Sequence, residues 1–316
     1  MRVAAIDCGT NSIRLLIADV VGDRLTDVAR RLELVRLGEG VDRTGRLAPE
    51  AIERTRLALL GYAAEIAELG IQRVRMVATS ASRDASNADD FRSMVRAVLG
   101  VEPEVISGDE EARLSFAGAV NGLDAEPPYL VVDIGGGSTE FVTGTPAQPD
   151  SGAAPRRDSS VERAISVDIG CVRMTERHLR SDPPAASEIA AAERDITAAV
   201  DTALAAVGGD AARTLVGLAG SVTTVTALAL DLPEYDAGRI HHARVSYDDV
   251  AKVTADLLAA PIARRLDLPV MHPGRADVIG AGALILRIVM ERAGMREVVA
   301  SEHDILDGIA FGLARA

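Results

Sequence analysis

Two stretches, VAAIDCGTNSIRLLI (Val3 to Ile17) and LVVDIGGGSTEFVT (Leu130 to Thr143), each carry an apolar run into an Asp, glycine and a hydroxyl residue, then into a second apolar run. These residue types can handle a phosphate. Glycine lets the backbone come close to an anion and turn its N–H groups inward, Ser and Thr add hydroxyl donors, and an Asp at a strand end can hold a hydrated divalent cation or orient water. A third stretch, TLVGLAGSVTTVTALAL (Thr214 to Leu230), puts Gly220, Ser221, Thr223 and Thr224 at the positive end of a helix. A single Asp-Gly turn between strands is mostly a hairpin. Two copies, each with a hydroxyl after glycine, point to two related half-structures whose turns face each other across a phosphate.

The elements that must position these residues can be read from periodicity. Short apolar runs bounded by Gly, Asn and Ser predict a buried strand, a tight turn and a returning strand in each copy. A third strand ending near Leu37 follows the first copy, then a helix from Pro49 to Ala67 stopped at Gly70. Val74 to Ala78 reads as a strand, followed by a polar turn and a helix closed at Gly100. Glu104 to Ile106 reads as a strand whose turn, Ser107-Gly108-Asp109, caps a helix opening with Glu110 and Glu111. Acidic residues there also offset the helix dipole.

A second domain opens near Leu123. Thr145 to Glu162, rich in Pro, Ser and Gly, reads as an exposed hairpin loop whose Arg156-Arg157 pair could touch a long anion. A short helix from Cys171 is broken at Pro183-Pro184, and Ala185 to Val207 forms an amphipathic helix. Thr214 to Leu230 gives a strand, a Gly-rich turn and a helix. Helices over Asp248–Leu258, Pro261–Leu266 and Gly274–Ala293, with a short closing one, complete the chain.

Composition narrows the class. At 316 residues the chain is long for one core, and 48% apolar residues suffice for two. A formal charge of −13, 3% aromatics and no Trp argue against nucleic acid as a partner. Lys252 is the sole lysine, so phosphate contacts fall to arginine forks, although a source-wide bias toward Arg gives the same pattern. Cys8 and Cys171 read as small buried hydrophobes. No apolar run reaches membrane-spanning length, and the first phosphate turn follows Met1-Arg2 directly, which predicts a cytoplasmic protein without a leader or membrane partner.

Five motifs then appear in order: Asp7-x-Gly9-Thr10-Asn11-Ser12-x-Arg14, Thr79-Ser-Ala-x-Arg83 with Asn87, Gly108-x-Glu110-Glu111, Asp133-x-Gly-Gly-Gly-Ser-Thr-Glu140, and Gly217-x-Ala-Gly220-Ser221-Val-Thr223-Thr224. In these the chain resembles the exopolyphosphatase and guanosine pentaphosphate phosphohydrolase family, of the actin, sugar-kinase and Hsp70 superfamily, over nearly its whole length. The resemblance implies an α/β protein of two ribonuclease-H-like (actin-like ATPase) domains, residues 1–122 and 123–303, with the active site in the interdomain cleft and a last helix, 304–316, packing back on the first. It implies water attack on a terminal phosphoryl group of inorganic polyphosphate or guanosine pentaphosphate, with Mg²⁺, or alternatively Mn²⁺, bound. It is compatible with a homodimer and, through the guanosine substrate, with a place in the stringent response.

Carried over residue by residue, Glu111 matches the general base and Glu110 its solvated neighbour. Asn11, Ser12, Arg14, Arg83, Asn87, Gly135, Gly136, Ser138, Thr139, Gly220, Ser221 and Thr223 match phosphate-binding positions, and Asp7, Asp133 and Glu140 the metal positions. Ser301-Glu302-His303-Asp304 departs from the more glycine-containing family pattern. Against hydrolysis stand a phosphate-ligand sensor, which has no use for a carboxylate beside a polyanion without a metal or water, and a sugar kinase, for which no sugar-recognition signal is present. Arg239, His241, His242, Arg244, Arg264 and Arg265 could line a track for a long chain or lie on the surface. The choice among polyphosphate lengths, guanosine pentaphosphate and simple nucleotides stays open in the sequence.

Overall fold

The computed structural model describes residues 1–22, 24–146 and 161–315, which form two compact units, Met1–Gly118 with Ile305–Ala316, and Ala119–Asp304. The Arg156-Arg157 pair lies outside the described residues.

In the first unit, strands β1 (Arg2–Cys8), β2 (Ile13–Val21), β3 (Arg24–Glu33), β4 (Val74–Ala78) and β5 (Glu104–Val105) line up as β3-β2-β1-β4-β5. The first three form an antiparallel meander, and β4 and β5 run parallel to β1. Both faces of β1 are covered, which is why its sequence is continuously apolar rather than alternating. Ala4, Ile6 and Cys8 pack into one cluster with residues of the helices that follow, and Val3 and Ala5 into another. The intervening helices are α1 (Val41–Thr44), α2 (Pro49–Glu68), α3 (Ser80–Asp84), α4 (Ala88–Leu99) and α5 (Gly108–Ala119). The closing helix, Ile305–Arg315, lays Ile305, Leu306, Ile309, Ala310 and Phe311 on the Val3/Ala5 face. It crosses α5 at Gly308, where a Cβ would stand 2.1 Å from the Leu114 carbonyl oxygen.

The second unit repeats the plan. Strands β6 (Tyr129–Ile134), β7 (Thr139–Gly144) and β8 (Val161–Val167) form its meander, with β9 (Thr214–Leu218) and β11 (Glu297–Ala300) parallel beyond β6 and β10 (Arg244–Ser246) on the edge, in the order β10-β11-β9-β6-β7-β8. Helices α6 (Cys171–His178), α7 (Ala186–Val207), α8 (Ala219–Ala229), α9 (Ala237–Ile240), α10 (Tyr247–Ala259), α11 (Ile262–Leu266) and α12 (Ile279–Arg292) complete it, and the closing helix is α13. α12 is apolar almost all round because it is buried almost all round.

Several elements differ from the sequence reading. β3 stops at Glu33, and residues 34–40 leave the sheet to pack on the first turn. The polar segment after β4 is a one-and-a-half-turn helix, α3. No Gly-rich turn separates β9 from α8: the helix starts directly at Ala219, whose φ of 66° makes the corner. The expected helix over Gly274–Ala293 is split into a 3₁₀ turn, Pro273–Arg275, and α12, which frees Arg275 from a helix face. The short strands β10 and β11 have no counterpart in the reading.

Candidate functional site

The first turn joins β1 to β2, and Gly9 N–H donates to the Ser12 carbonyl at 2.9 Å. The Thr10 carbonyl accepts from Gly38 N–H (2.8 Å) and the Asn11 carbonyl from Arg36 N–H (2.9 Å). A trans peptide sets its N–H opposite its C=O, so the Asn11 and Ser12 N–H groups face away from the 34–40 loop. Gly38 permits this packing, since a Cβ there would lie 2.3 Å from Thr10 Cγ2. Asp7 and Arg14 are cross-strand partners in the register, and Asp7 Oδ2 accepts from Arg14 Nη2 at 2.6 Å and Nε at 3.1 Å. Burial pushes the neighbouring Cys8 thiol well above its ordinary pKa, as expected for an inert core residue.

The second turn joins β6 to β7 with the same bond, Gly135 N–H to the Ser138 carbonyl at 3.1 Å. Here the start of α6 holds the carbonyls. Cys171 N–H donates to Gly135 O and Val172 N–H to Gly136 O, each at 2.9 Å, and Arg173 Nε donates to Gly137 O at 2.8 Å. The Gly136, Gly137 and Ser138 N–H groups therefore face the other way. Gly170 lies so close that a Cβ would meet Gly136 backbone atoms at 2.3 Å. Asp133 and Glu140 occupy the register positions that correspond to Asp7 and Arg14. Both are buried, and Ser166 Oγ donates to Glu140 Oε1 at 2.7 Å. Two acids paired across a hairpin favour a bound cation or a shared proton, and these hard oxygens suit Mg²⁺ or Mn²⁺, which commonly use one or two carboxylates with water and phosphate oxygens. Among the described residues no set of three His, Cys, Asp or Glu could hold a metal, so a cation at this pair would depend on water and substrate for its other ligands.

Glu111 lies in the first turn of α5, and Arg83, in α3, reaches it. Arg83 Nη1 donates to the Ile106 carbonyl at 2.9 Å and lies 3.3 Å from Glu111 Oε2. The Arg83 side chain keeps 28% of its surface exposed and Glu111 12%, so the pair is accessible from one side. Glu110 turns elsewhere, to Arg75 at 2.8 Å. Asn87 has a different employment from the one expected: its amide accepts from Leu47 N–H and donates to Leu47 O, tying the loop after α1 to the start of α4. The Thr139 hydroxyl is likewise committed, donating to the Ile169 carbonyl in a fully buried setting.

The third motif opens α8. Ser221 and Thr223 are buried, and Ser221 hydrogen-bonds Cys171, so the α6 and α8 starts are joined. The guanidinium of Arg275 lies flat on Gly220, where a Cβ would meet Arg275 Cζ at 2.5 Å, and its Nη1 donates to Thr224 Oγ1 at 3.3 Å. The Tyr235 hydroxyl donates to Glu302 Oε1 (2.6 Å) and is hydrogen-bonded to Thr223 Oγ1 (2.7 Å). Burial and the Glu302 carboxylate push its pKa up. Beyond Glu302 the His241, His242 and His303 rings stack, with centroids 3.7 and 4.4 Å apart.

The structure thus brings Asn11, Ser12 and Arg14 to one turn, Gly135, Gly136, Ser138, Asp133 and Glu140 to another, Arg83 to Glu111, and Gly220, Ser221 and Thr223 to the start of α8. Arg275 was missed, because it lies far along the chain in what reads as helix. A hairpin register was available as a signal for the Asp7–Arg14 pair, since a four-residue turn sets positions seven apart opposite each other.

Two such sheets, each a meander extended by parallel strands, define the two-domain, ribonuclease-H-like architecture of the actin-like ATPases. The chain belongs to the Ppx/GppA phosphatase family, whose model matches residues 16–315. It is 51% identical to exopolyphosphatase 2 of Mycobacterium tuberculosis over 99% of this chain and 98% of that one. Among solved structures, an exopolyphosphatase-like protein is 44% identical with a TM-score of 0.91, covering 100% of this chain and 99% of its own. A Ppx/GppA family member from Aquifex aeolicus is 31% identical with a TM-score of 0.81, covering 100% and 98%.

Proposed function

We propose that this chain is an exopolyphosphatase-type phosphohydrolase that removes the terminal phosphate of inorganic polyphosphate. The observation that carries this reading is that both Gly turns have their carbonyls held back by bonds from 34–40 and from α6, so their N–H groups are arranged in advance for a polyanion. Glu111 takes a proton from a water whose oxygen attacks the terminal phosphorus. The anhydride P–O bond breaks, and the shortened chain leaves with that electron pair. Arg83, beside Glu111, positions the terminal phosphate, and Arg275 with the start of α8 is a further phosphate-binding position. Asp133 and Glu140 would hold Mg²⁺, or Mn²⁺, which when bound neutralises charge on the phosphate oxygens. Asp7, already paired with Arg14, fits a structural part better than a metal ligand.

The test is phosphate release, with and without Mg²⁺, from polyphosphates of graded length, guanosine pentaphosphate and nucleoside triphosphates. Polyphosphate should be turned over fastest, and chelation should stop the reaction. Tight polyphosphate binding without phosphate release would make the chain a sensor, and faster release from guanosine pentaphosphate would move the substrate assignment.

A further inference from the structure

Arg265, in α11, is only 2% exposed. Its Nε donates to the Leu257 carbonyl at 2.8 Å, and its Nη1 to the Ala276 carbonyl at 3.1 Å. Its Nη2 is buried and meets no hydrogen-bond acceptor among the described residues. Asp182 and Asp277 act on it from beyond ion-pair distance, and their pull is outweighed by burial, which lowers its pKa from the ordinary arginine value. A buried guanidinium without a carboxylate against it is costly, and a methionine of similar length would fill the space without that cost. Such a charge needs a reason in what it holds.

One bond has a local reason, because Leu257 lies in the last turn of α10, where a cation offsets the helix dipole. The other does not. It grips Ala276, the residue after Arg275, in a segment that passes from the 3₁₀ turn at Pro273–Arg275 into α12. Arg275 in turn lies on Gly220 at the positive end of α8, an arrangement that places like charge on like. It too has no carboxylate within ion-pair distance among the described residues, and its one side-chain hydrogen bond is to Thr224. Two guanidinium groups and a helix start converge, and the first fixes the backbone that presents the second.

We propose that Arg265 is a positioning residue for polyphosphate: it holds the Ala276 carbonyl so that Arg275 stays over the first turn of α8, and the polyanion supplies the negative charge this corner lacks. The inference rests on the phosphate-binding reading of Gly220, Ser221 and Arg275 given above.

The experiment compares Arg265→Met, Arg265→Lys, Arg275→Met and the Arg265→Met/Arg275→Met double variant of the full chain, recording kcat, KM for polyphosphate and the melting temperature without ligand. Arg275→Met is the control for the underlying reading. If it leaves KM unchanged, the phosphate assignment of the α8 corner fails, and the role of Arg265 falls with it. With that control positive, Arg265→Met should raise KM about tenfold while kcat falls less than about threefold, with melting unchanged or higher. Arg265→Lys, which keeps the charge but cannot bridge both carbonyls, should recover part of the loss. The double variant should be no worse than Arg275→Met alone, since one residue acts through the other. An unchanged KM in Arg265→Met, or fully additive losses in the double variant, would overturn the proposal. Should Arg265→Met fail to fold, the lysine variant decides: a raised KM at nearly normal melting supports the role, and a normal KM ends it.

Discussion

The turn at Gly9 and the turn at Gly135 are the same backbone device with opposite electrostatics. Each closes with a glycine N–H bonded to a serine carbonyl, and each sets a buried Asp opposite the residue seven positions later. In the first unit that residue is Arg14 and the charges cancel. In the second it is Glu140 and they add. The difference teaches that one backbone device can carry an ion pair across its strands in one unit and two acids in the other. The carbonyls are also held by different means, a loop through Arg36 and Gly38 in one unit and the start of α6 in the other.

The largest effect should come from a residue that belongs to one unit only. Glu111→Gln is expected to lower kcat by about two to four orders of magnitude while polyphosphate binding persists, measured by phosphate release and calorimetry. If Glu110→Gln has that effect instead, the base is misassigned and the pairing of Glu110 with Arg75 is no guide.

The contrast between the turns predicts a double dissociation. Asp7→Asn leaves Arg14 without its carboxylate and should destabilise the protein by about 3 kcal/mol, with the Mg²⁺ requirement unchanged. Asp133→Asn relieves a like-charge pair, so melting without metal should hold or rise, while the Mg²⁺ concentration for half-maximal rate climbs at least about tenfold. Urea melts and metal titrations on both variants check this. A raised Mg²⁺ requirement in Asp7→Asn would abolish the distinction drawn here.

Packing offers a smaller break. Gly170→Ala drives a methyl into backbone and should cost about 1–3 kcal/mol together with activity, whereas Gly38→Ala meets side chains, Thr10 Cγ2 at 2.3 Å and, less tightly, Ala81 Cβ at 3.0 Å. The first unit should therefore be rescued by Thr10→Ser, which removes that methyl, and no single side-chain change should rescue the second. Equal melting of Gly38→Ala with and without Thr10→Ser would mean the contact is not the cause.

The smallest effect is one of pH. All five histidines fall in the second unit. His242 has its pKa lowered by burial and by His303. The unfolded chain then binds a proton more readily than the folded one, so this contribution is intact above the ordinary value of 6.5 and is lost as pH falls through it toward the lowered folded value. His242→Asn, suited to the φ of 62° there, should flatten the fall in melting temperature between about pH 7.5 and 5.5. An undiminished fall would assign the acid sensitivity to other groups.

Much of this was legible in the sequence where chemistry and periodicity coincide. The hairpins show because apolar runs flank the glycines, and the Glu110-Glu111 pair shows at a helix start after a strand, although only the family resemblance singles out Glu111 as the base. Arg275 did not show, since its contact with Gly220 is made by a chain returning from another helix. Asn87 and Thr139 carry the right groups for phosphate, but backbone from loops far along the chain occupies them, and a motif does not record what packs against it. The short strands β10 and β11 escaped because three and four residues are too few for a period to register.

The crossing of α13 at Gly308 sets an order of events during synthesis. Val3, Ala5, Leu16 and Ala18 leave the ribosome before the second unit, yet the side chains that cover them, Leu306, Ile309 and Phe311, leave after it. The whole of the second unit is made in between. The nascent first sheet therefore keeps one apolar face open while its successor folds, and the unit begun first is the one finished last.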